Sequence, residues 1–430
     1  VMARQRMRQR WWGLGLVVAL EKPELQCRLL DLEAATLTDN NLLTDNNLLT
    51  DNNWSVLVQE LLNADAENRI AYRQGQRHGA RLRSLKAQSL SANTVPIVQS
   101  QASYLITGGL GSLGLAVAQW LAQQGAASLV LMGRRSPSAM AQAVIEDLEK
   151  TGVQVSIVQG DISKKESLAN VLSKIDDQLP ALRGAVHAAG VLDDGLLQNQ
   201  TWPRFEQVMA AKVQGSWHIH CLTQDRSLDF FILFSSAASL LGAPGQGNYA
   251  AANAFMDGLA HYRHGRGLPA LSLNWGPWAT AGMAQQLEKP QLERLQRLGF
   301  LSIEVERGMA AIAQALQLQR PQIGVLSVDW SQRFAQTSIG TTVETMPELK
   351  DLAPRKALGT EDGWLLRQLE SVPQTQRRQF LIERVRSQLA QVLGISDPTQ
   401  IDPQAGLFDL VIDSLMIAEL RQCLQTGLSY

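Results

Sequence analysis

The chain has 430 residues, which predicts roughly two or three domains, and 45% of them are hydrophobic, enough for a large buried core. Its formal net charge of -1, from 39 basic and 40 acidic residues, indicates neither a nucleic-acid partner nor a membrane surface. The three cysteines lie far apart and match no disulfide or metal spacing, so we expect a reducing, cytoplasmic location and no metal site.

The N-terminal segment combines a basic stretch with an apolar one. Four arginines between residues 4 and 10 precede Trp11–Leu20, a pattern that imitates a secretory signal. Glu21–Glu24 follows without a small-x-small cleavage site, and the apolar run is too short to span a bilayer. We therefore expect a helix of the folded protein, with a targeting segment as the alternative.

Strand-like and helix-like patterns alternate from Ala102 onward. This order predicts an α/β fold, a Rossmann-like doubly wound parallel sheet with helices on both faces. The segment 336–370 is polar and linker-like, and helical periodicity follows from Gln374 to Leu393. The predicted strands of the sheet are Ser103–Ile106, Ser128–Met132, Val153–Val158, Gly184–His187, Leu228–Phe234, Ala270–Gly276 and Ile323–Val328, and shorter ones are predicted at Leu25–Asp31 and Arg69–Arg73.

A glycine-rich turn connects the first strand of this sheet to a helix. Glycine lets the backbone approach a pyrophosphate closely, and the N-terminus of the helix favours its negative charge. The turn therefore predicts dinucleotide binding, with plain packing as the alternative. The residues that we expect to bind the cofactor here are Thr107, Gly108, Gly109, Leu110, Gly111, Ser112, Leu113 and Gly114.

The second strand indicates which dinucleotide is bound. Arg134 and Arg135 follow it, where an NAD site would carry an acidic residue for the ribose hydroxyls. Two arginines suit a 2′-phosphate, so NADPH is the expected cofactor, and a solvated arginine pair is the alternative. Asp161 follows the third strand, where it could hold the adenine amino group. Further expected cofactor contacts are Ile162, Ala188, Ala189 and Gly190.

A hydroxyl, a phenol and an ammonium group are predicted to meet at the end of one strand. Ser236 follows a buried apolar run, Tyr249 lies on the next helix and Lys212 lies upstream. Asn253 shares a helix face with Tyr249 because the two are four residues apart. Such a set can protonate a carbonyl oxygen while a bound dinucleotide supplies hydride.

These motifs together resemble the ketoreductase of type I modular polyketide synthases, a branch of the short-chain dehydrogenase/reductase superfamily. Ordinary members of the superfamily carry Tyr-x-x-x-Lys, whereas here Asn253 holds the lysine position and Lys212 lies upstream, as in the polyketide and fatty acid synthase branch. The resemblance covers most of residues 10–335. It rests on Thr107–Gly114, His187–Asp194, Lys212, Phe234–Ser236, Tyr249–Asn253 and Asn274–Trp278.

The resemblance implies NADPH-dependent reduction of a carrier-bound β-ketoacyl thioester to a β-hydroxyacyl thioester in polyketide biosynthesis. Tyr249 would donate the proton, Ser236 would bind the carbonyl, and Asn253 would fix a water or a backbone group in a proton path. Lys212 would lower the phenol pKa from its unperturbed value of about 10. The alternatives are a free-standing dehydrogenase with a diffusible substrate and a non-catalytic synthase fragment.

A second resemblance concerns stereochemistry. Leu192, Asp193 and Asp194 resemble the B-type fingerprint, which guides the substrate into one side of the groove. Leu241 stands where an A-type enzyme would have tryptophan, and Ala251 is not the proline that accompanies epimerised substrates. The alternative is that the two aspartates only cap a turn.

The C-terminal segment resembles an acyl carrier protein. Ser414 would carry 4'-phosphopantetheine, although Val411 stands where the family usually has glycine. The resemblance divides the chain into a truncated structural subdomain (1–97), a catalytic domain (98–335), a linker (336–370) and a truncated carrier (371–430). We thus expect a fragment of a multienzyme that works with a carrier-bound chain and other synthase domains. In that fragment, Leu389, Val392 and Leu415 should be partly exposed.

Overall fold

The computed structural model describes residues 2–32, 51–63, 67–85, 97–279, 295–337, 364–393 and 397–402, together with residues 65, 293, 349, 352, 395 and 420. Its N-terminal part contains helix α1 (Met2–Glu21) and helix α2 (Asp51–Leu62). In a small sheet, β1 (Leu29–Asp31) pairs in parallel with β2 (Arg69–Arg73), which forms a hairpin with β3 (Gln76–Gly79). Strand β2 has the predicted bounds, whereas β3 has no counterpart in the sequence-based prediction.

A seven-stranded sheet in which all neighbouring strands are parallel forms the core. Its spatial order is β11-β9-β8-β7-β4-β5-β6, so the order reverses between β4 and β7. The Rossmann-like prediction is confirmed. The strands that follow β3 are β4 (Ser103–Thr107), β5 (Ser128–Gly133), β6 (Gln154–Gln159), β7 (Leu182–His187), β8 (Phe230–Ser236), β9 (Leu271–Trp275), β10 (Phe300–Leu301), β11 (Gln322–Val325) and β12 (Ser327–Val328), of which β10 and β12 form a separate antiparallel pair.

Helices cover both faces of the seven-stranded sheet and bury its alternating side chains. Tyr104 and Ile106 of β4 belong to one hydrophobic cluster, and Leu105 belongs to the cluster on the opposite face. The apolar strand runs arise because both faces are buried. The other α-helices of the described residues are α3 (Ser112–Gln123), α4 (Ala139–Lys150), α5 (Lys165–Gln178), α6 (Trp202–Met209), α7 (Gly215–Thr223), α8 (Ala238–Leu241), α9 (Gly247–His264), α10 (Val305–Gln317), α11 (Trp330–Thr337), α12 (Trp364–Ser371) and α13 (Arg377–Leu393).

Helix α1 packs directly against α9. A methyl group added at Gly13 would lie 2.2 Å from the carbonyl oxygen of Ala250, so only glycine permits this approach. Leu16 and Val17 are buried. The apolar N-terminal run therefore forms a helix that contacts the helix carrying Tyr249. Within the described part of the chain, no helix combines the length and the apolar character needed to cross a membrane.

The C-terminal region contains a small cluster around α13. Leu389 is only 5% exposed and packs with Ala390, Ile401 and Leu420. The prediction that Leu389 is partly exposed was wrong, because Ile401 and Leu420 cover it. Ser414, Val411 and Leu415 lie outside the described residues, and so does the side chain of Val392.

Candidate active site

The topology brings the predicted catalytic residues to one edge of the sheet. Thr107, His187 and Ser236 are the last residues of β4, β7 and β8. Since these strands are parallel neighbours, their carboxyl ends meet where the strand order reverses, which is the usual ligand position in doubly wound sheets. Tyr249 lies in the first turn of α9.

Lys212 lies in a π-helical turn, Ala210–Gln214, between α6 and α7. π-Helical turns occur frequently at functional sites. The side chain is 2% exposed, and its Nζ donates a hydrogen bond to the carbonyl oxygen of Phe234 over 2.9 Å. Burial lowers the pKa of Lys212 to about 7, although the charge of Asp257 opposes this shift. The turn has no glycine or proline signal, so it could not be predicted from local sequence.

Tyr249 is buried close to Lys212, whose Nζ lies 5.2 Å from the centre of the phenol ring. Burial raises the pKa of Tyr249 to about 12, while hydrogen bonds with Asn253 and Ser236 oppose the shift. The predicted lowering of this pKa was therefore wrong for the protein as it stands. Desolvation of the phenolate outweighs the neighbouring groups, and the Lys212 hydrogen bond is directed to the Phe234 carbonyl.

Asn253 lies one helical turn after Tyr249 on α9 and bonds to the backbone of Tyr249. Its Nδ2 donates to the backbone carbonyl of Tyr249 over 2.8 Å. Its Oδ1 is buried and has no hydrogen-bond partner among the described residues. A buried amide oxygen usually has a partner, so this atom is suited to accept a hydrogen bond from a water molecule.

The glycine turn, which we call the glycine cradle, leaves a space that side chains at its glycine positions would fill. Gly108 has a φ of +71°, and a methyl group there would lie 2.7 Å from the backbone nitrogen of Ala189. A methyl group at Gly114 would lie 2.3 Å from the carbonyl oxygen of Gly108. Helix α3 begins directly after Gly111, so its first backbone N–H groups lie at the turn. This arrangement fits a pyrophosphate.

His187 supports the glycine turn, a role that sequence reasoning did not assign to it. Its Nδ1 lies 2.6 Å from the hydroxyl oxygen of Thr107, and this hydrogen bond joins the ends of β4 and β7. Burial lowers the pKa of His187 to about 3, and the charge of Lys212 adds to the effect. The imidazole therefore stays neutral at physiological pH.

The predicted adenosine-binding residues lie along the same edge of the sheet. Arg134 and Arg135 are exposed directly after β5. The carboxylate of Asp161 accepts hydrogen bonds from Ser163 N and Oγ over 2.9 and 2.8 Å. Partial burial raises the pKa of Asp161, but the Ser163 hydrogen bonds and the charge of Arg134 outweigh it and lower the pKa overall.

The other predicted cofactor-binding residues lie near the point between β4 and β7 where the strand order reverses. Ile162 is buried, and a methyl group at Gly215 of α7 would lie 3.0 Å from it. Ala188 N donates to the carbonyl oxygen of Thr107 over 3.0 Å. A methyl group at Gly190 would lie 2.9 Å from Cε of Lys212, so this loop passes close to the ammonium group.

Two loops border Tyr249, and we call them the groove loops: residues 192–200 and residues 242–246. Asp193 accepts hydrogen bonds from Arg204 over 2.8 and 2.5 Å, and its backbone carbonyl accepts one from Asn248 over 2.8 Å. Asp194 Oδ2 accepts one from Gln246 over 2.8 Å. The Asp194 carboxylate thus joins the two groove loops, whereas the Asp193 carboxylate joins the first of them to Arg204 of α6.

A doubly wound parallel sheet, a glycine cradle at its reversal point and this set of tyrosine, serine, lysine and asparagine define a site of the short-chain dehydrogenase/reductase type. Comparison with protein families identifies two domains within the chain. Residues 102–280 match the KR domain, and residues 383–429 match the phosphopantetheine attachment site.

Solved ketoreductases share the fold. The structure described as an A1-type ketoreductase is 33% identical with a TM-score of 0.70, and the match covers 82% of this chain and 70% of that chain. A ketoreductase from the first module of phoslactomycin biosynthesis in Streptomyces sp. HK803 is 31% identical with a TM-score of 0.67. That match covers 76% of this chain and 72% of the solved chain. The chain belongs to the ketoreductases of modular polyketide synthases, with a phosphopantetheine-binding carrier domain at its C-terminus.

Curated relatives are much longer proteins. Polyketide synthase GfsA of Streptomyces halstedii is 37% identical over 97% of this chain, which corresponds to 6% of that protein. Mycoketide-CoA synthase of Mycobacterium tuberculosis is 35% identical over 82% of this chain and 8% of its own length. The chain thus spans a small part of each.

The cradle generates a prediction for Gly108→Ala. This change adds left-handed strain of about 1–2 kcal/mol and places a methyl group against Ala189. We expect nucleotide affinity, measured by fluorescence titration with NADPH, to fall about tenfold or more. Gly125→Ala is the matched control, because Gly125 has a φ of +99° with no atom near the added carbon and lies beyond the far end of α3. Similar affinities in both variants would contradict the assignment.

Proposed function

We propose that this chain reduces the β-keto group of a carrier-bound β-ketoacyl thioester to a β-hydroxyl group, with NADPH as the reductant. The observation that carries the proposal is the convergence of Tyr249, Ser236 and Lys212 at the strand ends beside the glycine cradle. The glycine cradle would hold NADPH, which when bound would supply the hydride for the carbonyl carbon. The protein residues bind the carbonyl oxygen and deliver the proton that completes the alcohol.

The protonation state of Tyr249 allows it to act as the proton donor. With a pKa of about 12, its phenol is protonated at neutral pH and can donate to the oxyanion that develops on the substrate. Ser236 hydrogen-bonds the same oxygen and thereby orients the ketone. Asn253 Oδ1, buried without a partner among the described residues, would hold a water that returns a proton to Tyr249.

The proposal extends to the carrier and to the division of the chain. The match of residues 383–429 to a phosphopantetheine attachment site supports Ser414 as the modified serine. Its 4'-phosphopantetheine arm would present acyl chains to this reductase and to other synthase domains. We retain 1–97, 98–335, 336–370 and 371–430 as the structural, catalytic, linker and carrier segments. The scattered cysteines support a cytoplasmic location.

Removal of the proton donor should abolish most of the activity. We expect Tyr249→Phe to bind NADPH normally but to reduce a β-ketoacyl N-acetylcysteamine thioester roughly a hundredfold more slowly or worse. Absorbance of NADPH measures the rate. Tyr262→Phe is the matched control, since Tyr262 lies on the same helix and its hydroxyl accepts a hydrogen bond from the surface residue Arg266. Near-wild-type turnover of Tyr249→Phe would show that another group is the acid.

The cofactor preference should depend on the arginine pair after β5. We expect wild-type protein to use NADPH in preference to NADH, and Arg134→Ala with Arg135→Ala to reduce that preference by about tenfold for each lost charge-assisted contact. The ratio of kcat/KM values for the two cofactors measures it. Arg320→Ala, an exposed arginine just before β11 at the opposite edge of the sheet, should leave the ratio unchanged. Equal wild-type values for both cofactors would reject NADPH specificity.

We further propose B-type stereochemistry, which gives the D-alcohol, usually 3R. Leu192, Asp193 and Asp194 support it, together with leucine instead of tryptophan at position 241. The A1-type description of one solved relative is a property of that protein. Chiral chromatography of the reduced thioester should show mainly the D-product. A predominantly L-product would contradict the fingerprint.

A further inference from the structure

Glu21 is a buried carboxylate that the proposed reaction does not use. It is the last residue of α1, and only 4% of it is exposed. A buried carboxylate is costly unless hydrogen bonds compensate it. Its Oε1 accepts from Gly245 N and its Oε2 from Leu197 N, both over 2.7 Å. Distances this short are typical of charge-assisted hydrogen bonds.

The two donors belong to the two groove loops. Leu197 lies in the loop that carries Asp193 and Asp194, and Gly245 lies in the loop that leads into α9. The loops also bond to each other, since Gly195 N donates to Gly245 O over 2.7 Å. Glu21 therefore joins both loops at their point of contact and fixes the distance between them.

Helix α1 holds this carboxylate in a constant position relative to Tyr249. The close contact of Gly13 with Ala250 leaves no room for α1 to slide along α9. A methyl group at Gly242, in the second groove loop, would lie 2.7 Å from Leu20. The N-terminal part of the chain thus reaches the border of the active site through the end of α1.

We infer that Glu21 is a positioning residue that sets the spacing of the groove loops and thereby the orientation in which the β-ketoacyl chain reaches Tyr249. The inference rests on the proposed function. The two hydrogen bonds of the Glu21 carboxylate go to backbone N–H groups of the groove loops, not to Tyr249, Ser236 or Lys212. Its loss should therefore affect substrate affinity and the choice of carbonyl face more than the chemical step.

Glu21→Gln tests the inference. The amide retains one acceptor oxygen and places an NH2 group against a backbone N–H, so one of the two bonds is lost. We expect KM for the β-ketoacyl N-acetylcysteamine thioester to rise about tenfold and the minor alcohol to increase. We expect kcat and the Kd of NADPH to stay within about twofold of wild type, a difference of less than ~0.5 kcal/mol.

Glu60→Gln is the matched control. Glu60 is also a buried carboxylate of the N-terminal part, 2% exposed, but it binds Tyr72 and Arg77 instead of the groove loops. Its loss should lower thermal stability without changing KM or the alcohol ratio. An increase in KM equal to that of Glu21→Gln would show that any damage to the N-terminal part has this effect, which would overturn the inference.

Glu21→Asp provides a second variant that keeps the charge but is one methylene too short to reach both loops. If Glu21→Gln does not fold, Glu21→Asp tests the inference instead, and we expect the same rise in KM and the same increase in the minor alcohol. Unchanged KM and alcohol ratio in the folded variant would overturn the inference while leaving the proposed reductase activity intact. Absence of turnover in the wild-type protein would instead contradict the proposed function.

Discussion

The buried ammonium group of Lys212 constrains the structure around the active site. A charge removed from water needs a close acceptor, and here the acceptor is the carbonyl oxygen of Phe234. That bond joins the π-helical turn to the end of β8, where Ser236 is located. The same ammonium lies near the ring of Tyr249, so its position connects three elements that carry functional groups.

A buried carboxyl group, that of Asp257, stabilises the end of β8 on the side of α9. Asp257 of α9 accepts hydrogen bonds from Ser239 and Ser272 over 2.6 Å and from Asn274 over 2.9 Å. The Asn274 amide has a second proton, and its Nδ2 also donates to the backbone carbonyl of Ser236 over 3.3 Å. Networks of this kind favour one arrangement when every member is satisfied. The backbone of Ser236, the proposed catalytic serine, is therefore connected to α9, the helix that also carries Tyr249.

The sheet and the glycine turn could be predicted from the sequence because their signals are local. Apolar runs identified the seven main strands within a few residues of their bounds, and glycine spacing located the cradle. The π-helical turn at Lys212 could not be predicted, because it depends on where the buried ammonium finds an acceptor. The pKa of Tyr249 was missed since burial depends on tertiary packing. The role of Glu21 could not be predicted from the sequence, because its partners are backbone N–H groups more than a hundred residues away.

The pH dependence of reduction tests most directly whether the reaction needs the Lys212 ammonium, which bonds to the end of β8 and lies beside Tyr249. Because burial lowers its pKa to about 7, the ammonium is present below that pH and is lost above it. The account predicts that wild-type kcat/KM falls above an apparent pKa near 7. Lys212→Met should be slower and lack this decline, since the pKa of Tyr249, about 12, lies far above that range. A decline with the same apparent pKa in both proteins would contradict the account.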